Sequence, residues 1–244
     1  MLLPTLIFTL FAFSSCLKLP PSFQKCNRKQ PDLKECLLNA AQNGLFQLGR
    51  PILRDFNIPS LNPAKVVEAT ISSGTGPVQV EQKLRNCEIR GLPLGRLDTF
   101  DWDFDAKSMH FGSFFSEVNG RCEYDLDGKI LLLPIRGTGS AVVLMTNTTL
   151  NADLRYEEVK KAHKTYANFV SSEVTADPGH VYFHFDNLFD GDKQLGDNIN
   201  RLVNENWREV FDDVRDGYIE MLSRIFLQYL NNLFSKASLE ELLD

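Results

Sequence analysis

The chain has 244 residues and carries 26 Lys and Arg against 32 Asp and Glu, a formal net charge of −6. That balance argues against a nucleic-acid partner, which demands a basic surface, and suits a soluble protein of an extracellular fluid. Beyond the N-terminus no stretch approaches the run of about 20 apolar residues needed to cross a bilayer, so no stable membrane insertion is expected.

Leu2 to Phe13 are apolar apart from Pro4, Thr5 and Thr9, and the small residues Ser14, Ser15 and Cys16 follow. Residues 1–16 therefore read as a cleavable signal peptide. No Lys or Arg precedes the apolar run, so the free amino terminus must supply the positive charge. A lipoprotein anchor at Cys16 would want Gly or Ala at position 15, where Ser15 stands. The remainder, 17–244, is compatible with one elongated domain or two small ones. It retains Cys26, Cys36, Cys87 and Cys122. An even count in an oxidising compartment suggests two disulfides with three possible connectivities. A local Cys26–Cys36 bridge is the favoured one and leaves Cys87 for Cys122. A zinc site is the alternative, but no CxxC pair or neighbouring His gives ligand spacing.

From Cys26 to about Leu48, Pro31 and Asp32 can start a helix. Leu33, Cys36, Leu37, Ala40, Ala41 and Leu45 recur at helical spacing, with a bend or end expected at Asn43-Gly44. From Pro51 to about Phe185 the pattern is sheet. Phe100, Trp102 and Phe104 alternate with Asp101, Asp103 and Asp105; Leu150, Ala152, Leu154 and Tyr156 alternate with polar residues; so do Val181, Phe183 and Phe185. Turns are expected at Ser73-Gly74, Asn119-Gly120, Asp127-Gly128 and Asp177-Pro178-Gly179. An apolar pattern on one face over so many strands indicates an antiparallel sheet with one buried side. From Leu195 to Leu233 apolar residues hold one helical phase, interrupted only by Gly217, which predicts a single helix of about 40 residues and about 60 Å. The economical arrangement is α+β: a long C-terminal helix held in the concavity of a strongly curved antiparallel sheet.

Catalytic and metal chemistry find little support. Ser140 in Gly137-Thr138-Gly139-Ser140-Ala141 departs from the Gly-x-Ser-x-Gly elbow. His180 and His184 lie about 13 Å apart along a strand and cannot chelate one ion. Asp186 to Asp197 imitates a calcium loop but puts Leu188 where an oxygen ligand is required. Asp101, Asp103 and Asp105 read as a solvated strand face. No enzyme, cofactor or metal is therefore expected. Asn147-Thr148-Thr149 is an N-glycosylation sequon, which places Asn147 at the surface if occupied.

Several stretches together carry a resemblance. These are Cys26 to Leu37, Ile58-Pro59-Ser60-Leu61-Asn62-Pro63, Gly91-Leu92, Tyr124 through Gly139, His184 through Asp192, Leu195-Gly196, and Asn204-Glu205-Asn206-Trp207. In order and spacing the chain resembles the insect takeout and haemolymph juvenile-hormone-binding protein family over the whole of 17–244. The resemblance implies a lipid-binding, TULIP-like fold and secretion into haemolymph or sensory fluid. It also implies a tunnel for an elongated apolar molecule such as a juvenile-hormone-like terpenoid, a fatty acid or a related lipid, and clock or feeding control in some members. The chain departs from many relatives at Asp216-Gly217, where they carry Pro, and at Ser235 to Ser238, where the usual Pro is absent. Most takeout-like members also lack a counterpart of the Cys87 and Cys122 pair.

With 18 Phe in the chain, composition alone favours a filled core, and the resemblance favours a lined tunnel. The expected lining is Trp102, Phe104, Val143, Met145, Phe183 and Phe185 from the sheet, with Val203, Tyr218, Met221, Leu222 and Ile225 from the helix. Tyr218 could offer its hydroxyl to a polar group of the ligand. A monomeric carrier is the first expectation. A secreted signalling or interaction protein of the same fold with a filled core is the second.

Overall fold

The computed structural model describes residues 19–51, 53, 58–73, 76–131 and 133–243; the expected signal peptide lies outside them. Helix α1 (Leu33–Leu48) is followed by β1 (Ala64–Ser73), β2 (Val78–Arg90), β3 (Arg96–Asp103), β4 (Ser108–Ile130), β5 (Leu133–Lys161) and β6 (Lys164–Phe185). Helices α2 (Lys193–Glu205), α3 (Trp207–Phe234) and α4 (Leu239–Leu243) close the chain.

All strand pairings are antiparallel, in the order β1-β2-β4-β5-β6. β2 pairs with the C-terminal half of β4 and β3 with its N-terminal half. The strands are long: at about 3.3 Å per residue, β5 would reach about 95 Å if straight, so the sheet must bend. Helix α3 packs against β6 and also against β1, the opposite ends of the strand order. One helix can touch both edges only if the sheet curls around it, which is the expected α+β architecture of a C-terminal helix wrapped by a curved antiparallel sheet.

The bend has a definable place. On β5, Leu150, Ala152, Leu154 and Tyr156 are buried, but beyond Asn147 the buried positions become Met145 and Ala141. β4 changes from Met109 and Phe115 to Val118, and β6 from Val174 and Ala176 to Val181, Phe183 and Phe185. The strand register runs through this point unshifted, so Ser116, Asn147 and Gly179 form one row across three strands. At that row the inward and outward faces exchange. Asn147 takes φ 50°, a left-handed conformation that Asn tolerates, and a Cβ on Gly179 would stand 3.0 Å from that of Asn147.

This crease corrects one expected turn. Asp177-Pro178-Gly179 lies within β6, where Pro178, on an edge strand, has no ladder bond to forfeit on its outer side. Asn119-Gly120 and Asp127-Gly128 likewise lie within β4. Gly128 has φ 147° and its missing Cβ would fall 2.1 Å from the Gln79 carbonyl, so glycine serves a close approach of strands rather than a reversal. From β3 onward the reversals fall instead at Phe104 to Lys107, after Ile130, and at Ala162-His163; of the turn expected at Ser73-Gly74, Ser73 ends β1 and Gly74 lies outside the described residues. Nor do Asn43 and Gly44 end α1: the helix continues to Leu48, with Asn43 Oδ1 accepting from the Gln24 N–H.

The expected 40-residue helix is broken, not at Gly217 but at Asn206. That residue takes φ −113° and ψ 27°, and both its N–H and its Nδ2 donate to the Leu202 carbonyl, ending α2. The break occupies one residue, so the apolar stripe stays in phase across it. Gly217 sits inside α3 because a Cβ there would meet Ile71 Cγ2 of β1 at 2.7 Å.

Edge strand β6 would expose unpaired peptide groups. Amide side chains from the helices fill them. Asn204 accepts from the Phe183 N–H and donates to its carbonyl, Asn200 does the same for Phe185, and Asn231 for Phe169. Gln42 of α1 bridges Gly95 and Leu97 at β3 in the same manner. A primary amide offers one donor face and one acceptor, the complement of a peptide unit.

The disulfides join Cys26 to Cys36 and Cys87 to Cys122. The first ties the N-terminal segment to α1, and the second links β2 to β4. Among the described residues no helix is long and apolar enough to cross a membrane.

Candidate functional site: two cavities along the central helix

Helix α1 lies across one end of the curled sheet. The residues it turns inward are Leu37, Ala40, Ala41, Gly44, Leu45 and Leu48, spaced at i, i+3, i+4, i+7. The middle of this stripe is Ala, Ala and Gly, so the helix face is thin where a core would want bulk. Opposite stand Phe226, Tyr229, Leu230, Leu233 and Phe234 of α3. Trp102 and Phe100 of β3 and Met109, Phe111 and Phe115 of β4 complete the wall, and Leu242 and Leu243 of α4 close the end. The result is a cavity of about 180 Å³.

Its wall is nearly all hydrocarbon. The buried Ser113 hydroxyl is engaged with the Leu150 carbonyl, and the Tyr229 hydroxyl donates to the Ser60 carbonyl. Burial pushes the pKa of Tyr229 up, so it remains a neutral donor. Ser60 in turn donates to the Gly49 carbonyl, and the Leu61 N–H to that of Leu48. The Ile58–Pro63 motif thereby ties the end of α1 to α3. Trp102 donates from Nε1 to the Tyr156 hydroxyl at 3.0 Å and meets Phe234 edge-on at 5.8 Å, which fixes its ring at the cavity wall.

A second cavity, of about 40 Å³, lies farther along α3. Tyr218, Met221 and Leu222 line it, one helical turn before Phe226. Val118 and Cys122 of β4, Val143 and Met145 of β5, and Leu84 and Ile89 of β2 face them. The crease at Ser116 and Asn147 separates the strand segments lining the two cavities. At the inner end the Tyr218 hydroxyl donates to Gln82 Oε1 at 3.2 Å. Burial drives the Tyr218 pKa far above the ordinary phenol value, with the Gln82 hydrogen bond opposing, so the hydroxyl stays protonated.

The eleven expected lining residues thus divide three ways. Trp102 lines the large cavity, and Val143, Met145, Tyr218, Met221 and Leu222 line the small one. Phe104, Phe183, Phe185, Val203 and Ile225 line neither. Phe104 lies tilted against Trp102 under the Arg28 guanidinium, while Phe185 packs edge-on against Tyr124. Phe183, Val203 and Ile225 are buried core. The face of α1 and the C-terminal half of α3, which supply two facing walls of the large cavity, are not among the expected residues. The signal available was the run of small residues on the buried stripe of α1.

The remaining expected sites have plain positions. Asn147 is exposed at the crease. His180 is exposed and its ring lies 5.1 Å from that of Trp207, whereas His184 pairs with Asp186. Asp192 caps α2 by accepting from the Leu195 N–H. Gly137 and Gly139 leave room for the chain after β6 to cross β5: a Cβ would stand 2.9 Å from Leu188 Cα or 2.7 Å from the Asp186 carbonyl.

Comparison with known proteins agrees with this architecture. The family model described as haemolymph juvenile hormone binding protein matches residues 5–244. The circadian clock-controlled protein daywake of Drosophila yakuba is 28% identical over 231 residues, covering 91% of this chain and 87% of that protein. Its Drosophila melanogaster counterpart is 22% identical over the same shares. The crystal structure of Epiphyas postvittana Takeout 1 superposes with a TM-score of 0.80 at 22% identity, covering 91% of this chain and 99% of that one. With a sheet curled about its C-terminal helix and a family match over nearly its full length, the chain belongs to the haemolymph juvenile-hormone-binding and takeout family.

Proposed function

We propose that the chain is a secreted, monomeric carrier that takes up an elongated apolar small molecule, either a juvenile-hormone-like terpenoid, a fatty acid or a related lipid. The observation that carries this reading is the large cavity of about 180 Å³ with its hydrocarbon wall. Apolar cavities of about 150 Å³ stay dry and bind apolar guests, and ligand sites are mostly apolar with few polar groups. The carrier works by equilibrium burial, not turnover, and needs no cofactor, metal or nucleic acid. Two disulfides, a leader-like N-terminus and an exposed Asn147 in a sequon support an extracellular, glycosylated product in haemolymph or sensory fluid.

The test is a titration of delipidated protein with the fluorescent probe phenylnaphthylamine, followed by competition with juvenile hormones and fatty acids. Saturable binding at one site per chain, reversed by competitors, is expected. An unsaturable signal with every compound overturns the carrier reading.

A further inference from the structure

The inward positions of β2 read Val78, Val80, Gln82, Leu84, Cys87 and Ile89. Gln82 is the polar exception, and it is only 3% exposed. Its Oε1 accepts from Tyr218, itself buried, while its Nε2 has no acceptor among the described residues. An unpaired buried amide donor loses its hydration without compensation, so apolar replacement of such a residue should favour the fold. Gln82 is therefore costly as structure. It lies one inward position from Leu84, which lines the small cavity together with Tyr218.

The placement adds direction. On β4 the large cavity is lined by residues 109–115, the small one by 118–122, and Gln82 pairs farther on, opposite Leu126. On α3 the same order runs from Phe234 back to Tyr218, about 24 Å at 1.5 Å per residue. The large cavity beside α1 and α4, the small cavity, and the buried amide and hydroxyl thus follow one another in that order along α3 and β4. Among the described residues, the buried polar side chains are Gln47, Gln82, Ser113, Thr148 and Ser238. None of these carries a charge.

Resting on the carrier reading above, we infer that Gln82 and Tyr218 form the recognition site for a neutral oxygen acceptor on the ligand, an ester, ketone or ether oxygen that enters first. The Gln82 Nε2 donates to that oxygen, and the hydrocarbon trails through the small cavity towards α1. An ionised carboxylate is disfavoured at this end, because the site offers donors but no countercharge, and burying an unpaired charge is far costlier than burying a paired dipole.

Three ligands of matched chain separate the possibilities: methyl laurate, laurate at about pH 8, and tridecane, each measured by displacement of phenylnaphthylamine from delipidated protein. Methyl laurate is expected to bind roughly tenfold more tightly than tridecane, one hydrogen bond's worth, and more tightly than laurate. Gln82→Met, which keeps length and removes the donor, collapses the ester-to-hydrocarbon ratio to about one. Tyr218→Phe lowers the ratio by a smaller factor, and serves as the second variant if Gln82→Met does not fold. Equal binding of ester and hydrocarbon by the unmodified protein overturns this inference and leaves the carrier reading standing. So does an ester preference that survives both substitutions, or tighter binding of laurate. No displacement by any of the three, with no saturable probe binding, overturns both.

Discussion

Gly44 and Gly217 each lie inside a helix of this fold, and they predict opposite responses to the same change. Gly44 is in α1 and a Cβ built on it meets nothing within 4 Å. Gly217 is in α3 and a Cβ there meets Ile71 at 2.7 Å from Cγ2, 3.1 Å from Cβ and 3.2 Å from Cα. Replacing an interior helical Gly by Ala contributes about 1 kcal/mol of helix propensity in either place. At Gly44 nothing opposes that gain, and for a domain of this size the melting temperature should rise by about 2–4 °C. At Gly217 the helix must move off β1, and because Ile71 is fully buried and β-branched it cannot swing aside. Overpacking of this kind costs about 1–3 kcal/mol, which outweighs the propensity term, so Gly217→Ala should melt lower.

Gly44 also tests the cavity. It lines the void, so a larger side chain there grows into it. Gly44→Leu should gain further stability, at about 0.8 kcal/mol per buried CH2, while phenylnaphthylamine affinity falls roughly tenfold or more as guest and side chain compete for the same space. Thermal unfolding of the delipidated variants and probe titration read the two effects separately. Stability rising while binding falls is the signature of a void kept open at a cost to the fold. A Gly44→Leu protein that binds the probe like the parent would refute the assignment of this cavity as the site. A melting temperature lowered by Gly44→Ala would refute the helix geometry behind it.

Other expectations follow from the same structure. Asn204→Ala strands the N–H and carbonyl of Phe183 at a covered sheet edge and should destabilise by about 1–3 kcal/mol in chemical denaturation. Replacing Cys87 and Cys122 together by Ala should cost roughly 2–5 kcal/mol, and more than replacing Cys26 and Cys36, whose shorter loop constrains the unfolded chain less. Acid should loosen the end wall of the large cavity. Burial raises the Glu240 and Glu241 carboxyls, but the Thr165 N–H on the first, and the Ser238 N–H with the Lys164 ammonium on the second, outweigh it and hold both below the usual value. Their contribution is present above the unfolded carboxyl pKa of about 4.3 and is lost as pH falls through the folded values. Bound phenylnaphthylamine should therefore be released as pH falls below the ordinary carboxyl range, and Glu241→Gln should bring release to higher pH.

How much of this was legible in the sequence depends on the range of the interaction that decides it. The alternation from Leu150 to Tyr156 and from Val181 to Phe185 is local, and it put the sheet faces correctly. The same local reading took Asp177-Pro178-Gly179 for a turn, because Pro and Gly carry the same signature at a reversal and at an edge-strand crease. The crease was nonetheless written in the chain. Val143 and Met145 share odd parity, Leu150 and Ala152 even parity, and an exchange of faces must fall between them, at Asn147. The single-residue break at Asn206 left no trace in the periodicity, since it does not shift the phase of the stripe.

The cavity was harder to see because a void is a relation between distant surfaces. Ala40, Ala41 and Gly44 on a buried stripe say only that α1 is thin there. Whether Phe226 and Trp102 fill the gap depends on a tertiary approach set by the Ile58–Pro63 segment and by Gln42 at the β3 edge. Gln82 lies between these cases. Its place in the inward parity of Val78, Val80 and Leu84 marks it locally as an anomaly. What decides its role is Tyr218, 136 residues away in the chain. A buried polar residue on an apolar strand face, with one hydrogen-bonding atom satisfied and the other left over, is where sequence pattern and packing disagree, and in a carrier that disagreement is resolved by the guest.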